Sequence, residues 1–266
     1  MTRSFCDFHC HLVPGVDDGS RTLDESLHSI DRMLSAGVTR VITTPHFPAS
    51  RVEHHGFRSY MAFVDGRWNR VREAVGRDYP DLDFRRGLEV RLDTPSPDLS
   101  DPRLRLGGSD FVLVEWPGFM APPDGAERLA RLVDAGHRPI VAHPERYGGI
   151  DEDLEALRAW KEAGAFLQGN YGSLAGQNGT RAGRLIFRML EAGLLDYFSS
   201  DFHGRPEYVF YLHRGARELT RRGGGGHLDL LGKVNPARLF EGKPPLKVPP
   251  LVVEAPVMRM LQGFLE

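Results

Sequence analysis

The chain has 266 residues, of which 41% are hydrophobic and 26% charged, proportions of an ordinary globular protein with enough length for one large barrel or two modest domains. Its formal net charge of −2 gives no long-range pull toward nucleic acid or an acidic membrane surface, so an anionic substrate has to be attracted by local groups. No stretch is long and apolar enough to span a bilayer, and residues 1–5 lack the apolar core of a signal peptide; a cytoplasmic protein with no membrane insertion and no nucleic-acid partner is expected.

Near the start, Asp7-Phe8-His9-Cys10-His11 reads as a strand. Alternation puts Asp7, His9 and His11 on one face and Cys6, Phe8 and Cys10 on the other. Two imidazoles on one face suggest a metal, although His-x-His alone is a weak signal. Cys6 and Cys10 are the only cysteines and both point into the layer behind, against a disulfide or thiolate site. After a Gly- and Asp-rich loop, Thr22-Leu23-Asp24-Glu25 predicts a capping box, and Leu23, Leu27, Ile30 and Leu34 recur at helical spacing until Gly37.

Residues 38–44 are short and β-branched, a strand followed at once by Pro45-His46. A helix over about 55–75 precedes a strand around 84–90, and a Pro- and Asp-rich link leads to the strand 111–115. A helix over 124–135 and the strand 139–143 follow, then helix 151–163, strand 165–169, helix 180–192 and strand 196–200. About seven strands separated by crossover helices favour a parallel α/β barrel over an open doubly wound sheet. Residues 223–226 read as a flexible loop and Asn235-Pro236 as the start of a last short helix. No linker divides the chain, so residues 1–266 read as one domain with a Pro-rich C-terminal extension from about 244. The extension's stripe Val257, Met260, Leu261 and Phe264 fits either core packing or a subunit contact, the latter in a homo-oligomer.

In parallel barrels the chemistry sits at the carboxyl ends of the strands. Metal-capable residues recur there: His9 and His11, His46, Glu89, Glu115, His143, and Asp201 with His203. Imidazole and carboxylate without thiolate suit Mn²⁺, Fe or Zn²⁺. A site with several ions lowers the pKa of a bridging water and neutralises charge on a transferring phosphoryl group. Arg146 and Arg205 stand beside proposed ligands, and a planar guanidinium can grip two phosphate oxygens at once.

The set Asp7-x-His9-x-His11, Thr44-Pro45-His46, Gly87-x-Glu89, Glu115, His143-Pro144-Glu145-Arg146-Tyr147 and Ser200-Asp201-x-His203 resembles the polymerase and histidinol phosphatase (PHP) superfamily. Within it, Pro14-Gly15-Val16-Asp17-Asp18-Gly19 resembles the bacterial capsule-regulating protein-tyrosine phosphatases of the CpsB/YwqE type. The resemblance runs from about residue 7 to 203, and Asn235-Pro236 also fits. It implies a distorted seven-stranded (β/α)7 TIM-like barrel holding three divalent ions, Mn²⁺ first, with Fe or Zn²⁺ as alternatives. The first ion takes His9, His11, Glu89 and Asp201; the second Glu89, Glu115 and His143; the third Asp17, His46 and His203, with Asp18 the less favoured occupant of the Asp17 role. Asp7 becomes a residue that orients a histidine. Arg146 and Arg205 match the phosphate-binding arginines, and a metal-bridging hydroxide would displace tyrosinate from a phosphotyrosine protein such as a tyrosine kinase of capsule or exopolysaccharide production. The alternatives are a small-molecule phosphoesterase such as histidinol phosphatase, or a non-catalytic scaffold. Phe47 departs from the family pattern, in which another histidine often follows His46. His54 and His55 fall in a segment without a clear counterpart; as solvated loop residues they need no role, and as a general acid either could protonate the leaving oxygen.

Overall fold

The computed structural model describes residues 4–252; the stripe at Val257, Met260, Leu261 and Phe264 lies outside them. Nine strand segments run parallel: β1 (Phe5–Asp7), β2 (Val38–Thr43), β3 (His46–Pro48), β4 (Asp83–Arg86), β5 (Glu89–Arg91), β6 (Phe111–Glu115), β7 (Arg138–Ala142), β8 (Phe166–Asn170) and β9 (Tyr197–Ser199). They pair as β1-β2-β4 and as β3-β5-β6-β7-β8-β9. β2 with β3, and β4 with β5, are one strand position each, interrupted at Thr44-Pro45 and at Gly87-Leu88. The ladder carries across both breaks, since Gly87 N donates to Thr43 O at 3.0 Å and Glu89 N to Pro45 O at 3.1 Å. Seven strand positions result, and the strand predicted over 84–90 is in fact two segments.

Gly87 marks the second break for a steric reason. A Cβ there would lie 2.8 Å from Leu106 Cδ2 and 3.0 Å from Arg105 O, so only glycine lets buried Leu106 pass so close.

β1 and β9 are not paired by an ordinary ladder, yet the seam between them is bonded. Cys10 bridges Phe202, His11 N donates to Phe202 O at 2.8 Å, and Asp201 N to His9 O at 2.8 Å. Lower down, Phe8 N and His9 N both donate to Ser199 Oγ at 3.0 Å. Two successive amides aimed at one side-chain acceptor break the regular alternation just past the end of β1. The predicted faces are therefore corrected. Cys6 and Phe8 pack inside the barrel with Leu113, Ile140, Ala142 and Tyr197, whereas Cys10 and Leu12 pack outside with Ile30 and Met33. Both thiols are buried, and burial raises both, Cys6 to about 12.

The helices cover the outside: α1 (Leu23–Ser35), α2 (Phe57–Asp78), α3 (Gly125–Asp134), α4 (Glu155–Glu162), α5 (Tyr171–Leu174), α6 (Gly179–Glu191), α7 (Leu212–Arg221), α8 (Gly225–Asp229) and α9 (Asn235–Phe240). Thr22 Oγ1 caps α1 by accepting from Glu25 N, and the Glu25 carboxylate reaches back to Arg21 N at 2.7 Å. α7 was not anticipated, and Gly225 and Gly226, expected in a flexible loop, open α8. From α8 the chain passes through one wide turn, Leu230–Val234, directly into α9. No helix among the described residues is long and apolar enough to cross a membrane.

Candidate metal centre

Beneath the site lies the apolar filling of the barrel, with Leu113 on β6 two residues below Glu115 and Ala142 on β7 one residue below His143. Above it, side chains from nearly every strand end converge. His9 Nε2 stands 3.2 Å from Glu89 Oε2 and 3.4 Å from Asp201 Oδ1; His11 Nε2 stands 3.5 and 3.4 Å from the same two oxygens. His143 Nε2 is 3.0 Å from Glu89 Oε1. His46 Nδ1 is 2.9 Å from Glu89 Oε2 and 3.2 Å from Glu115 Oε1. Asp18 Oδ1 faces His203 Nε2 at 3.2 Å and His46 Nε2 at 3.5 Å.

The second nitrogen of several rings is tied down, which fixes the tautomer. His9 Nδ1 donates to Gln168 Oε1 at 2.8 Å, because the Gln168 amide NH₂ is already committed to Gly169 O and Asn170 Oδ1. His11 Nδ1 donates to Asp17 Oδ2 at 2.7 Å, and His203 Nδ1 to Asp201 O at 3.1 Å. Each bond leaves Nε2 as the atom turned toward the carboxylates. Asn170 Nδ2 in turn donates to Asp201 Oδ2 at 2.9 Å. A chain of hydrogen bonds thus runs from His9 through Gln168 and Asn170 to Asp201.

His9 Nε2, His11 Nε2, His46 Nδ1, Glu89 Oε2 and His143 Nδ1 are buried without a hydrogen-bond partner. So many orphaned polar atoms in one place would be costly in a protein that bound nothing there. Together with Asp18, Glu115, Asp201 and His203, these residues form four groups that fit a cation: His9, His11, Asp201; His9, Glu89, His143; His46, Glu89, Glu115; and His11, Asp18, His46, His203. Within each, the donor atoms lie within 4.8 Å of one another. Imidazole nitrogens and carboxylate oxygens are the donor set of Mn²⁺, Fe and Zn²⁺, so the residues fit the group.

Charge follows the same geometry. Burial opposes protonation of His46, but Glu115 and Glu89 outweigh it and push the ring up to about 12. Burial likewise opposes the His11 charge, and Asp17 outweighs it, to about 10. Glu89 is held well below the carboxylate range despite its burial, by His9, His143 and His46; Asp201 is held there by His9 and His11.

Strain concentrates here too. Of the four non-glycine residues with left-handed φ among the described residues, His143 (φ 35°), Asp201 (φ 52°) and Phe119 (φ 52°) stand at this site. Such conformations persist where surrounding contacts over-determine them.

Not every predicted residue lies where it was expected. Asp17 is turned toward His11 Nδ1, His46 N and Gly19 N, while its neighbour Asp18 stands with His46 and His203. Glu115 faces His46 as well as the edge of the cluster. Asp7 accepts from Ser199 Oγ and His9 N; it secures the backbone, and Gln168 is what orients the His9 ring. Arg146 Nη1 donates to Asp201 Oδ2 at 2.6 Å. Arg205 Nε donates to Gly19 O at 3.0 Å, against the loop that carries Asp17 and Asp18. His54 and His55 are exposed, their rings 4.1 Å apart, with Gly56 N donating to His54 Nδ1; neither joins the cluster. Gln168 and Asn170 were missed, and their only sequence signal is two polar residues inside an otherwise apolar strand.

A parallel α/β barrel with imidazoles and carboxylates at its strand ends defines a metal-dependent hydrolase class. The family model for capsular polysaccharide synthesis, CpsB/CapC, matches residues 5–241, and the chain belongs to that family. It is 27% identical over 261 residues to the tyrosine-protein phosphatase YwqE of Bacillus subtilis, covering 97% of this chain and 99% of that protein. It is 26% identical over 215 residues to the tyrosine-protein phosphatase CpsB of Streptococcus agalactiae, covering 76% and 86%. Its fold superposes with a TM-score of 0.78, at 25% identity and over 94% of this chain and 100% of the other, on a chain from the crystal structures of YwqE from Bacillus subtilis and CpsB from Streptococcus pneumoniae, metal-dependent tyrosine phosphatases. A phosphotriesterase homology protein from Escherichia coli shares the fold at a TM-score of 0.56 and 14% identity, over 90% and 99%.

Proposed function

We propose that this protein is a metal-dependent tyrosine-protein phosphatase that hydrolyses phosphotyrosine in proteins, a tyrosine kinase of capsule or exopolysaccharide production among them. The observation that carries this reading is the buried convergence of orphaned imidazole and carboxylate atoms beside Arg146, in a chain of the CpsB/CapC family.

Three divalent ions, Mn²⁺ first, account for the donor set. His9, His11, Glu89 and Asp201 would hold one, and Glu89, Glu115 and His143 a second. His46 and His203 would hold the third together with Asp18, which takes the role the sequence gives first to Asp17. Bound ions supply Lewis acidity, activating water and offsetting charge on the phosphoryl group.

The chain's own residues do the rest. Arg146 is anchored through Nη1 on Asp201, which leaves the other side of its guanidinium to grip phosphate oxygens and stabilise charge in the transition state. Arg205 is held by Gly19 O, on the loop that carries Asp17 and Asp18. Asp17 and Gln168 keep His11 and His9 in the tautomer that presents Nε2. The leaving group is a phenolate, with a pKa of about 10. It departs far more readily than an alkoxide and makes little demand on a protein acid.

The test is phosphate release from tyrosine phosphopeptides and from histidinol phosphate, with and without Mn²⁺. Metal-dependent turnover of the phosphopeptides is expected; activity that survives complete chelation, or a preference for histidinol phosphate, overturns the reading.

A further inference from the structure

The turn after β6 holds a phenylalanine that folding alone does not explain. Gly118 and Phe119 are both left-handed (φ 65° and 52°), natural for the glycine and unfavourable for a residue with a Cβ. The turn is nevertheless secured: Gly148 N donates to Phe119 O at 2.8 Å, and Ala121 N to Gly148 O at 3.0 Å. The ring is not taken into the core by this, for Phe119 stays 43% exposed. A single exposed phenylalanine is unremarkable. One fixed in strained backbone, with the Arg146 guanidinium 4.5 Å from its ring centroid and the His143 ring 5.7 Å away, is placed for something beside it.

Two cavities meet at this point. One, of about 230 Å³, reaches Asp18, Asp201 and His203. The other, of about 320 Å³, is lined by Phe119, Glu145, Arg146, Asn178, Arg181 and Ala182. Arg146 and Asn178 line both. The two cavities adjoin at Arg146 and Asn178, so a phosphoryl group held in the first has the second beside it to receive whatever is esterified to it. That second space has an aromatic wall and two guanidinium edges, which suits a flat, electron-rich ring. A serine or small aliphatic ester would put only saturated carbon against Phe119.

We infer that the cavity walled by Phe119 is the subsite for the aromatic ring of the substrate, and that Phe119 selects aryl over alkyl phosphoesters. The inference rests on the phosphatase reading and adds the residue that sets its substrate class. Stacking on Phe119 is worth about three- to tenfold in affinity.

Binding of phenylphosphonate and methylphosphonate by the Mn²⁺-loaded protein, followed by calorimetry, isolates this effect from turnover, because the two share a head group and neither is hydrolysed. The wild type should favour the phenyl compound. Phe119→Ala should erase about three- to tenfold of that preference while methylphosphonate binding and metal content stay as they were, and Phe119→Tyr should keep the preference. An unchanged ratio in Phe119→Ala overturns the inference, and so does an equal loss for both compounds, which would mean that Phe119 only props Arg146. Failure of the phosphatase reading shows separately, as a wild type that binds phenylphosphonate selectively yet leaves phosphotyrosine peptides intact.

Discussion

Replacing Asp17 by Asn keeps the shape of the side chain and exchanges one acceptor oxygen for a donor. Asp17 Oδ2 accepts from His11 Nδ1 at 2.7 Å and His46 N at 3.0 Å, and Oδ1 accepts from Gly19 N at 3.0 Å. All three partners are donors, so whichever way an amide turns, its NH₂ meets an N–H. With the side chain only 6% exposed, one unpaired donor costs about 1–3 kcal/mol. At 1.4 kcal/mol per factor of ten, that is about 10–100-fold in metal affinity, the range found for residues that orient a ligand. Asp18 is different. Its side chain is 65% exposed and faces His203 and His46 directly, so Asp18→Ala removes a donor atom without disturbing the fold. Metal content after dialysis against Mn²⁺, measured by mass spectrometry, separates the two. Asp17→Asn should retain every equivalent when Mn²⁺ is in excess and lose them more readily as it is diluted, whereas Asp18→Ala should be short of one equivalent at any practical concentration. The opposite pattern would refute the assignment of the third ion to Asp18.

Other consequences follow from the same contacts. In the metal-free protein His46 is raised to about 12 and His11 to about 10, so both are protonated at pH 7. Metal takes an unprotonated nitrogen, so uptake should release protons and tighten as pH rises; calorimetry in buffers of different ionisation enthalpy reads this directly, and no buffer dependence would contradict it. The same shifts have a sign for stability. Folded-state values raised above the unfolded value of about 6.5 stabilise the metal-free protein fully below that pH, and the contribution is withdrawn as pH climbs through about 10. Melting temperatures of chelated protein should fall over that window. Away from the site, Lys161 Nζ donates to buried Asp196 Oδ1 at 2.6 Å. Lys161→Met strands that carboxylate and should cost about 3 kcal/mol, the low end because the Lys161 side chain is 27% exposed; denaturant unfolding measures it, with metal content unchanged. Arg146→Ala should keep its metal, because Asp201 Oδ1 faces His9 and His11 independently of Arg146, and lose most of kcat/KM for phosphotyrosine peptides. An unaltered kcat/KM would remove Arg146 from the phosphate site.

The barrel was legible because parallel strands buried on both faces leave short apolar, β-branched runs such as Phe111–Glu115, and the polar residue ending each run marks its carboxyl end. Alternation found the right direction for His9 and His11 yet misplaced Cys6 and Asp7. A break in the alternation leaves no signature in the local sequence, and at this one Ser199 Oγ, 190 residues from His9, accepts from two successive amides. The resemblance favours Asp17 over Asp18, and the local sequence holds nothing to reverse that order: neighbours in a turn share no periodicity, and only the closure of the loop onto His11 separates them. α7 went unread because its Arg-rich surface leaves a narrow apolar stripe of Leu212, Ala216 and Leu219. Of the glycines that suggested a loop at 223–226, Gly223 and Gly224 do lie between helices, while Gly225 and Gly226 open α8 against their low helix propensity, ahead of a turn in which Leu231 and Gly232 are buried.

One strand end broke the pattern that exposed the site. β8 finishes at Asn170 and offers no imidazole or carboxylate where its neighbours β7 and β9 lead into His143 and Asp201. Its position explains the exception. Its inward side chains meet both His9, just past β1, and Asp201, just past β9, a hydrogen-bond donor and an acceptor that both need fixing. A carboxylate there could accept from His9 but would repel Asp201, and a lysine could serve Asp201 but not His9. An amide both accepts and donates, and two in series, Gln168 Oε1 accepting at 2.8 Å and Asn170 Nδ2 donating at 2.9 Å, carry the polarity from imidazole to carboxylate without adding charge to a cluster already dense with it. The strand without a ligand is therefore the one that aligns two ligands of the same proposed ion, and neutral polar residues at inward positions of a strand flanked by ligand-bearing strands are the signal that would have found it.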